Sequence, residues 1–581
     1  MTQIDWLVLV LTLGGIMAYG LYKSRTTKNL DGYFLSNRSM AWYTVLLSIM
    51  GTQASAITFI SAPGQAYTDG MRFVQYYFAL PLAMVVICIT FVPLFNKLKV
   101  YTAYAFLENR FDLKTRTLTS FLFLLQRGVS TGISIYAPSI ILSALFGWNI
   151  FSTNIVMGGL LIAYTVAGGA KAVASTQQLQ FVVIFIAMVA AGYCVVHLLP
   201  HGVSFTDALY VGGRLGKLNI ITSGTENGRF NWNDRYNIWS GMIGGFFLML
   251  SYFGADQSQV GRYLTARNNT ESKLGLLMNG LVKIPMQALI LMLGVLIFSF
   301  YQFQAAPLSF NSSLVSDVQR SAYKDSVTNL QVSYDSINGL KAQKAVLFTQ
   351  AVHDGNEAVM QALATDLKQL NNASDKHRST FAAWSKKASR RDANDTNYIF
   401  LSFVKTYLPI GLKGLLIAII FLASWGSIAA ALNALAASTV VDFHQRFSKK
   451  PFNEYAVSRW YTFGWGAFCI LVAQFANRLG NSLIEAVNRL GSLFYGVILG
   501  IFLVAFYVKK VKGTSAFFAA LFSELVVLLL FFKNDIPHLH LLPDISFLWL
   551  NAIGALLVVL AGFVLQTLLP KKLVTGSASA S

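Results

Sequence analysis

Thirteen apolar runs, most about twenty residues long, decide what this chain can become. Twenty residues of helix rise about 30 Å, the thickness of a bilayer's hydrocarbon core. The runs cover roughly 5–22, 41–60, 73–96, 117–146, 149–167, 178–199, 237–255, 274–301, 412–441, 459–477, 482–507, 514–533 and 546–569. They are continuous, whereas the strands of a membrane barrel would show ~10-residue alternation. Charged residues make up 12% of the 581, about half the usual share of a soluble domain. The chain therefore reads as an all-α integral membrane protein.

The net charge of +20 does not point to nucleic acid, because most basic residues outside one long insert sit in short loops. KSRTTKNLDGYFLSNR, the 97–116 loop, the 261–273 loop, HQRFSKK, KKVK and PKK all fall on one side of the membrane. That side is the inner one if the N-terminus lies outside and the C-terminus inside. The opposite loops, such as SAPGQAYTDGMR and KNDIPHLHLLPD, are nearly neutral. Asp5 precedes the first run and no cleavage site follows it, so that run reads as a retained helix and not a signal peptide. Cys88, Cys194 and Cys469 lie in apolar runs without metal-type spacing and read as small core residues, with no disulfide.

The pattern divides the chain into five parts. Residues 1–40 hold an extra span and a basic inner loop. Residues 41–301 hold a first repeat and the start of a second. Residues 302–397 form a polar insert, outside by parity, whose three- and four-residue apolar spacing predicts an amphipathic helix or hairpin. It serves either as a solvated surface domain or as a cover over the outer mouth of a pathway. Residues 398–507 complete a transport core, and 508–581 add two spans and a low-complexity tail, GSASAS.

A carrier needs backbone groups free at membrane depth, and broken helices supply them. The second run contains SIMGTQASAITF and the seventh SYFGADQSQ. They stand five spans apart, as the two discontinuous helices of a five-plus-five inverted repeat would. Ionisable residues within spans are functional hypotheses by default. Arg127 lies about ten residues into its run, ~15 Å deep, and Lys283 is similarly placed. They read either as structural partners of Asp256 or Glu485, or as ligands of an anionic solute. Glu524 reads as a local hydrogen-bond partner, and His197 as interfacial. No Walker loop, HExxH, GxSxG in a strand-turn-helix context or metal-ligand cluster is present, so the chain does not read as an enzyme and its transport would be secondary.

Six motifs, YFLSNRSM, SAITFISAPGQAY, TGISIYAP, YTVAGGAKAV, QSQVGRYL and LNALAASTVVDF, occur in the order in which they stand in the sodium:solute symporter family. The chain resembles that family from about residue 30 to 510, and most of all its thirteen-span branch of iodide, multivitamin and monocarboxylate transporters. The resemblance implies the LeuT-type fold, with ten core helices in two inverted repeats. It implies a sodium site made by the backbone carbonyls of Gly51, Ala54 and Ala423 and by side chains at 426 and 427. Here Ser427 offers a hydroxyl, but Gly426 stands where a second Ser is common. Ala429 and Ala430 lack the hydroxyls of an additional sodium site. A packing role for Gly426 and Ser427 is the alternative.

Lys283 matches a sugar-contacting Lys of the glucose-transporting branch, while Thr58 replaces a sugar-contacting Gln. Gln53, Thr58, Gln75, Arg127, Asp256, Gln259 and Lys283 are the expected solute-binding residues. Weighing the buried Arg and Lys most heavily, the expectation is sodium-coupled symport of an organic or sugar acid. A neutral sugar or polyol, a sodium-independent or proton-coupled carrier using Asp256, and a membrane sensor are the rivals. Expected partners are the solute, the sodium ion and the lipid bilayer, with no nucleic acid and no cofactor besides the coupling ion. A bacterial inner membrane suits such a chain.

Overall fold

Hydrocarbon offers a backbone no water, so each amide in an apolar run must find its carbonyl within the run, and helix follows. The computed structural model describes residues 1–24, 30–389, 393–448, 451–476, 482–536 and 544–568. The basic segments at 25–29 and 449–450, the PKK tail, GSASAS, most of KNDIPHLHLLPD and the end of the tenth run lie outside the described residues. Ten helices among the described residues are long and apolar enough to cross a membrane. The one β-ladder among them is a two-residue hairpin, Thr225–Glu226 against Arg229–Phe230.

The helices that position the site are α1 (Gln3–Ser24), α2 (Trp42–Gln53), α3 (Ala56–Asp69), α4 (Leu113–Phe146) and α5 (Ile150–His197). They continue with α6 (Phe205–Arg214), α7 (Gly245–Gly254), α8 (Gln257–Tyr263) and α9 (Asn269–Phe303). The insert supplies α10 (Lys324–His353) and α11 (Glu357–Ser389). The last are α12 (Leu412–Ser438), α13 (Glu454–Ala473), α14 (Leu483–Tyr507), α15 (Gly513–Phe531) and α16 (Phe547–Leu568).

The step from thirteen runs to ten helices has a physical cause in two of the three cases. The second run is broken between α2 and α3, and α3 merges by hydropathy with the third run, as Ala56–Leu98. The seventh run ends at Ser240–Gly254, too short to count alone. The tenth run lies on α13, which is 20 residues long. Backbone from Ile150 to His197 is helical, but Tyr164 Oη and Thr176 Oγ1 are 3.0 Å apart. Twelve residues of straight helix would separate them by about 18 Å, so α5 does not run straight between them, and its described apolar parts count as two candidate spans, Ile150–Ala167 and Val173–His197.

The insert is indeed a helical hairpin. Phe348, Met360, Leu363 and Leu367 of α10 and α11 bury themselves with Val211 of α6 and Phe303 of α9. His353 Nε2 lies 3.1 Å from both oxygens of Asp207, and Arg214 pairs with Glu357 at 2.5 Å. The end of the bundle away from the insert is closed by charge. Arg116 donates to Asp442 Oδ1 at 2.9 and 2.6 Å. Thr102 and Ser120 add bonds to Asp442 at 2.7 and 3.0 Å. Glu485 pairs with Arg235 at 2.5 Å and Arg489 at 3.8 Å, and with neither Arg127 nor Lys283. Glu524, read as a local hydrogen-bond partner, instead buries both carboxyl oxygens without a partner among the described residues.

Candidate solute and ion site

The break in the second run frees two particular carbonyls. Ala54 and Ser55 leave helical geometry, at φ −78°, ψ 71° and φ −83°, ψ 171°. Ser55 N–H donates to Gln53 O at 2.9 Å where an unbroken helix would have it donate to Gly51 O. Thr58 N–H donates to Ser55 O at 2.9 Å, which passes over Ala54 O in the same way. Gly51 and Ala54 are the positions whose carbonyls the family resemblance assigned to sodium. On α12, Ser427 Oγ donates to Ala423 O at 3.0 Å and Ser424 O at 3.1 Å. Two further expected ligands, Ser427 and Ala423, are thus in contact.

The second break lies at Ala255 and Asp256. Asp256 caps α8, accepting from Ser258 N at 2.8 Å and Ser258 Oγ at 2.6 Å. Its other oxygen accepts from Tyr495 Oη at 2.7 Å and lies 3.8 Å from Arg127 Nη1. Asp256 is 1% exposed. Its lone pairs are spent on holding α8, Tyr495 and Arg127 in place.

The first break faces a central cavity, and the helix before the second break reaches it through Tyr252. Thr52, Gln53, Ser55 and Thr58 line it from the first break, Arg127 from α4, Tyr252 from α7, Lys283 from α9, Ser427 from α12 and Asn488 and Tyr495 from α14. Of the expected solute residues, Gln53, Thr58, Arg127 and Lys283 meet there, beside Ser427. Asp256 stands behind Arg127 and Tyr495, and Gln259 behind Tyr252, whose hydroxyl accepts from Gln259 Nε2 at 2.6 Å. Gln75 does not reach the cavity. Its amide donates to Arg72 O, Thr222 Oγ1 and Tyr236 O, and its oxygen accepts from Thr222 N at 3.1 Å, so it seals a loop.

The charge balance of the cavity is positive. Arg127 and Lys283 are 9% and 1% exposed. Among the described residues no carboxylate lies within ion-pair distance of Lys283, whose Nζ stands 5.3 Å from the Tyr77 ring centroid. Arg127 Nε, Gln126 Oε1 and Asn488 Nδ2 on the wall have no hydrogen-bond partner among the described residues. Buried polar atoms without partners are rare; here they surround a space that a polar solute would fill.

Several cavity residues escaped the sequence reading. Gln126, Ser130, Thr131 and Ser134 share one face of α4 with Arg127, and their three- and four-residue spacing was a legible signal. Tyr252 and Tyr495 carried none, since aromatic residues are common throughout these helices. Gln177 also carried none. Its Nε2 donates to Gly426 O at 3.0 Å and Thr52 Oγ1 at 3.2 Å, and its Oε1 accepts from Ser48 Oγ at 3.0 Å. It thereby ties α2 to α12 beside the freed carbonyls.

A family model described as the sodium:solute symporter family matches residues 33–326 and 378–522. The sodium/sialic acid symporter NanT of Aliivibrio fischeri is 24% identical over 564 residues, covering 96% of this chain and 92% of its own length. The sodium/sialic acid symporter SiaT of Proteus mirabilis is 24% identical over 571 residues, covering 96% and 94%. The human sodium/iodide cotransporter is 31% identical over 283 residues, covering 47% and 41%. A solved structure, the substrate-bound outward-open state of a Na+-coupled sialic acid symporter, superposes with a TM-score of 0.73 at 22% identity over 98% of each chain.

Proposed function

The chain belongs to the sodium:solute symporter family, and from that premise we propose that it carries a sugar acid of the sialic acid type into the cell with sodium. The observation that supports the solute class is the pair of buried cations, Arg127 and Lys283, on one cavity beside which Asp256, the carboxylate paired with Arg127 among the described residues, is already spent. An unpaired buried charge is costly, and a solute carboxylate offsets that cost. The full-length likeness to two sodium/sialic acid symporters supports the same class.

In this reading the carbonyls of Gly51, Ala54 and Ala423 and the Ser427 hydroxyl hold sodium where the broken second run crosses α12. Gln53, Thr58, Arg127 and Lys283 contact the solute, while Asp256 and Gln259 orient its ligands. Sodium bound at the break pins α2 and α3 against α12, so solute affinity rises with sodium and, reciprocally, sodium affinity rises with solute. The fold is of the LeuT type, a five-plus-five repeat spanning 41–301 and 398–507. There are thirteen crossings, the N-terminus and the 302–397 insert outside and the C-terminus inside, in a bacterial inner membrane. The 1–40 and 508–581 segments add spans around that core.

Uptake into proteoliposomes tests the proposal. Labelled N-acetylneuraminic acid is expected to accumulate under an inward sodium gradient and not under a potassium gradient, and free sugar acids are expected to compete. Competition by neutral hexoses and none by sugar acids would replace the solute class with a neutral sugar.

A further inference from the structure

Gly426 has no side chain, yet the space beside it is filled. A Cβ built on Gly426 would stand 2.7 Å from Oε1 of Gln180 and 3.1 Å from Cγ of Gln177. A serine hydroxyl at 426 would have to take the place that Gln180 Oε1 now holds. The two glutamines sit one turn apart on α5, on the same face. They differ in what they do. The Gln177 carboxamide is committed to Ser48, Thr52 and Gly426. Gln180 is 4% exposed, and its carboxamide makes no hydrogen bond to any described residue.

A nearly buried carboxamide that spends neither half on a described residue is open to a ligand. Its donor half cannot serve a cation, but its oxygen can. Side-chain amide carbonyls are among the neutral oxygens that hard cations accept. We propose that Gln180 is a ligand of the sodium site, its Oε1 supplying from α5 the side-chain oxygen that Gly426 does not supply from α12. The proposal rests on the sodium site described above. Gln177 then acts as a positioning residue, because its bonds to Thr52 and Gly426 tie α2 to α12 one turn away from Gln180.

The test uses full-length protein in detergent, with thermal midpoints followed against NaCl at constant ionic strength made up with KCl. The variants are Gln180→Met, Gln180→Ala, Gly426→Ser/Gln180→Ala and Ser427→Ala. Gln180→Met, which keeps volume and removes the oxygen, is expected to raise the sodium Kd about tenfold or more. The double variant is expected to regain sodium affinity, since Ser at 426 enters the space that Gln180→Ala vacates; a purely structural role for Gln180 would not be rescued in this way. If Gln180→Met folds poorly, the double variant decides alone. Folding without sodium response, while wild type responds, would overturn the proposal. Gln180→Met and Gln180→Ala titrating like wild type, while Ser427→Ala abolishes the response, would remove Gln180 and leave the site. Sodium and potassium behaving alike in wild type would remove the site itself.

Discussion

Tyr495 donates a 2.7 Å hydrogen bond to Asp256, reaching from α14 into the break of the seventh apolar run. The same carboxylate oxygen lies 3.8 Å from Arg127 Nη1. Tyr495 and Arg127 both line the cavity, so Asp256 aligns two walls from behind. Tyr495→Phe removes one donor from a buried carboxylate and loosens Arg127, while leaving the residues proposed to hold sodium untouched. A bond to a charged group contributes about 1.5–3 kcal/mol. Uptake kinetics are expected to show a solute KM about tenfold higher with sodium dependence unchanged. A shift in sodium dependence would contradict the division between ion and solute residues.

Lys283 is buried without a carboxylate neighbour among the described residues. Replacing an uncompensated buried cation by an apolar chain of similar length removes a desolvation cost. Lys283→Met should therefore fold at least as stably as wild type and still lose affinity for an anionic solute by about tenfold. Arg127→Lys should fold but bind poorly, because the charge persists while the bidentate fork is lost. Melting midpoints and competition binding on the same preparations check both statements.

At the far end from the insert, Asp442 accepts from Arg116, Thr102 and Ser120 and is itself fully buried. Removing one partner of a buried pair costs about 3–5 kcal/mol, because the other charge stays buried alone. Asp442→Ala is expected to lower the melting midpoint sharply, whereas Arg116→Met/Asp442→Leu should recover it. Transport should not recover with it if this network must part for that end to open. Accessibility of a cysteine placed at Ala103 to a polar thiol reagent reads the opening directly.

How much of this was legible depended on sequence distance. The break at Ala54 and Ser55 was legible, because Gly51, Thr52, Gln53 and Ser55 cluster polar and small residues inside an apolar run. Arg127 was legible by its depth, and its neighbours Ser130, Thr131 and Ser134 by their spacing. Gln75 misled: a polar residue at the start of the third run looks the same whether it faces a cavity or bonds Thr222, 147 residues away. Gln177 and Gln180 gave no signal, since TQQLQ at the foot of a run reads as a wet helix end. Only packing against Gly426, 249 residues from Gln177, shows them enclosed. The count of runs overshot the count of membrane-length helices in part because hydropathy does not see a break.

Within the insert, burial pushes the Lys341 ammonium down to about 8 from 10.5, against the opposing pull of Asp375. Lys341 is 3% exposed. The unfolded chain therefore holds this proton over a pH range where the folded chain has released it. Stability contributed by this group rises with pH between about 8 and 10.5 and is lowest below 8. Its amplitude is at most about 3 kcal/mol. The melting midpoint of wild type relative to Lys341→Met is expected to climb across that window. Below pH 8 the Met variant should be the more stable of the two.

The insert also reaches the transport core through Asn397. Its Oδ1 accepts from Ser61 Oγ of α3 at 2.6 Å and from Leu483 N at the start of α14 at 3.2 Å. Nearby, a Cβ on Gly64 would stand 2.0 Å from the carbonyl oxygen of Thr396, so α3 and the end of the insert touch backbone to backbone. Asp395, two residues before Asn397, is held by Arg378 at 2.8 and 3.0 Å and by Phe310 N at 2.7 Å. The chain that leaves the insert is thus anchored to the insert and pressed on α3 of the broken second run. A methyl at 64 cannot be absorbed by a rotamer change, because its neighbour is backbone, and overpacking of this kind costs about 1–3 kcal/mol. Gly64→Ala should lower the melting midpoint by lifting residues 394–398 off α3. Asn397→Ala should leave that contact in place and free only the Ser61 and Leu483 bonds. A cysteine at Thr58, on the cavity wall in the first turn of α3, then reports the consequence. Its labelling from the insert side should quicken in Asn397→Ala if the insert braces the helix in its closed position, and should match wild type if the insert only rests on it.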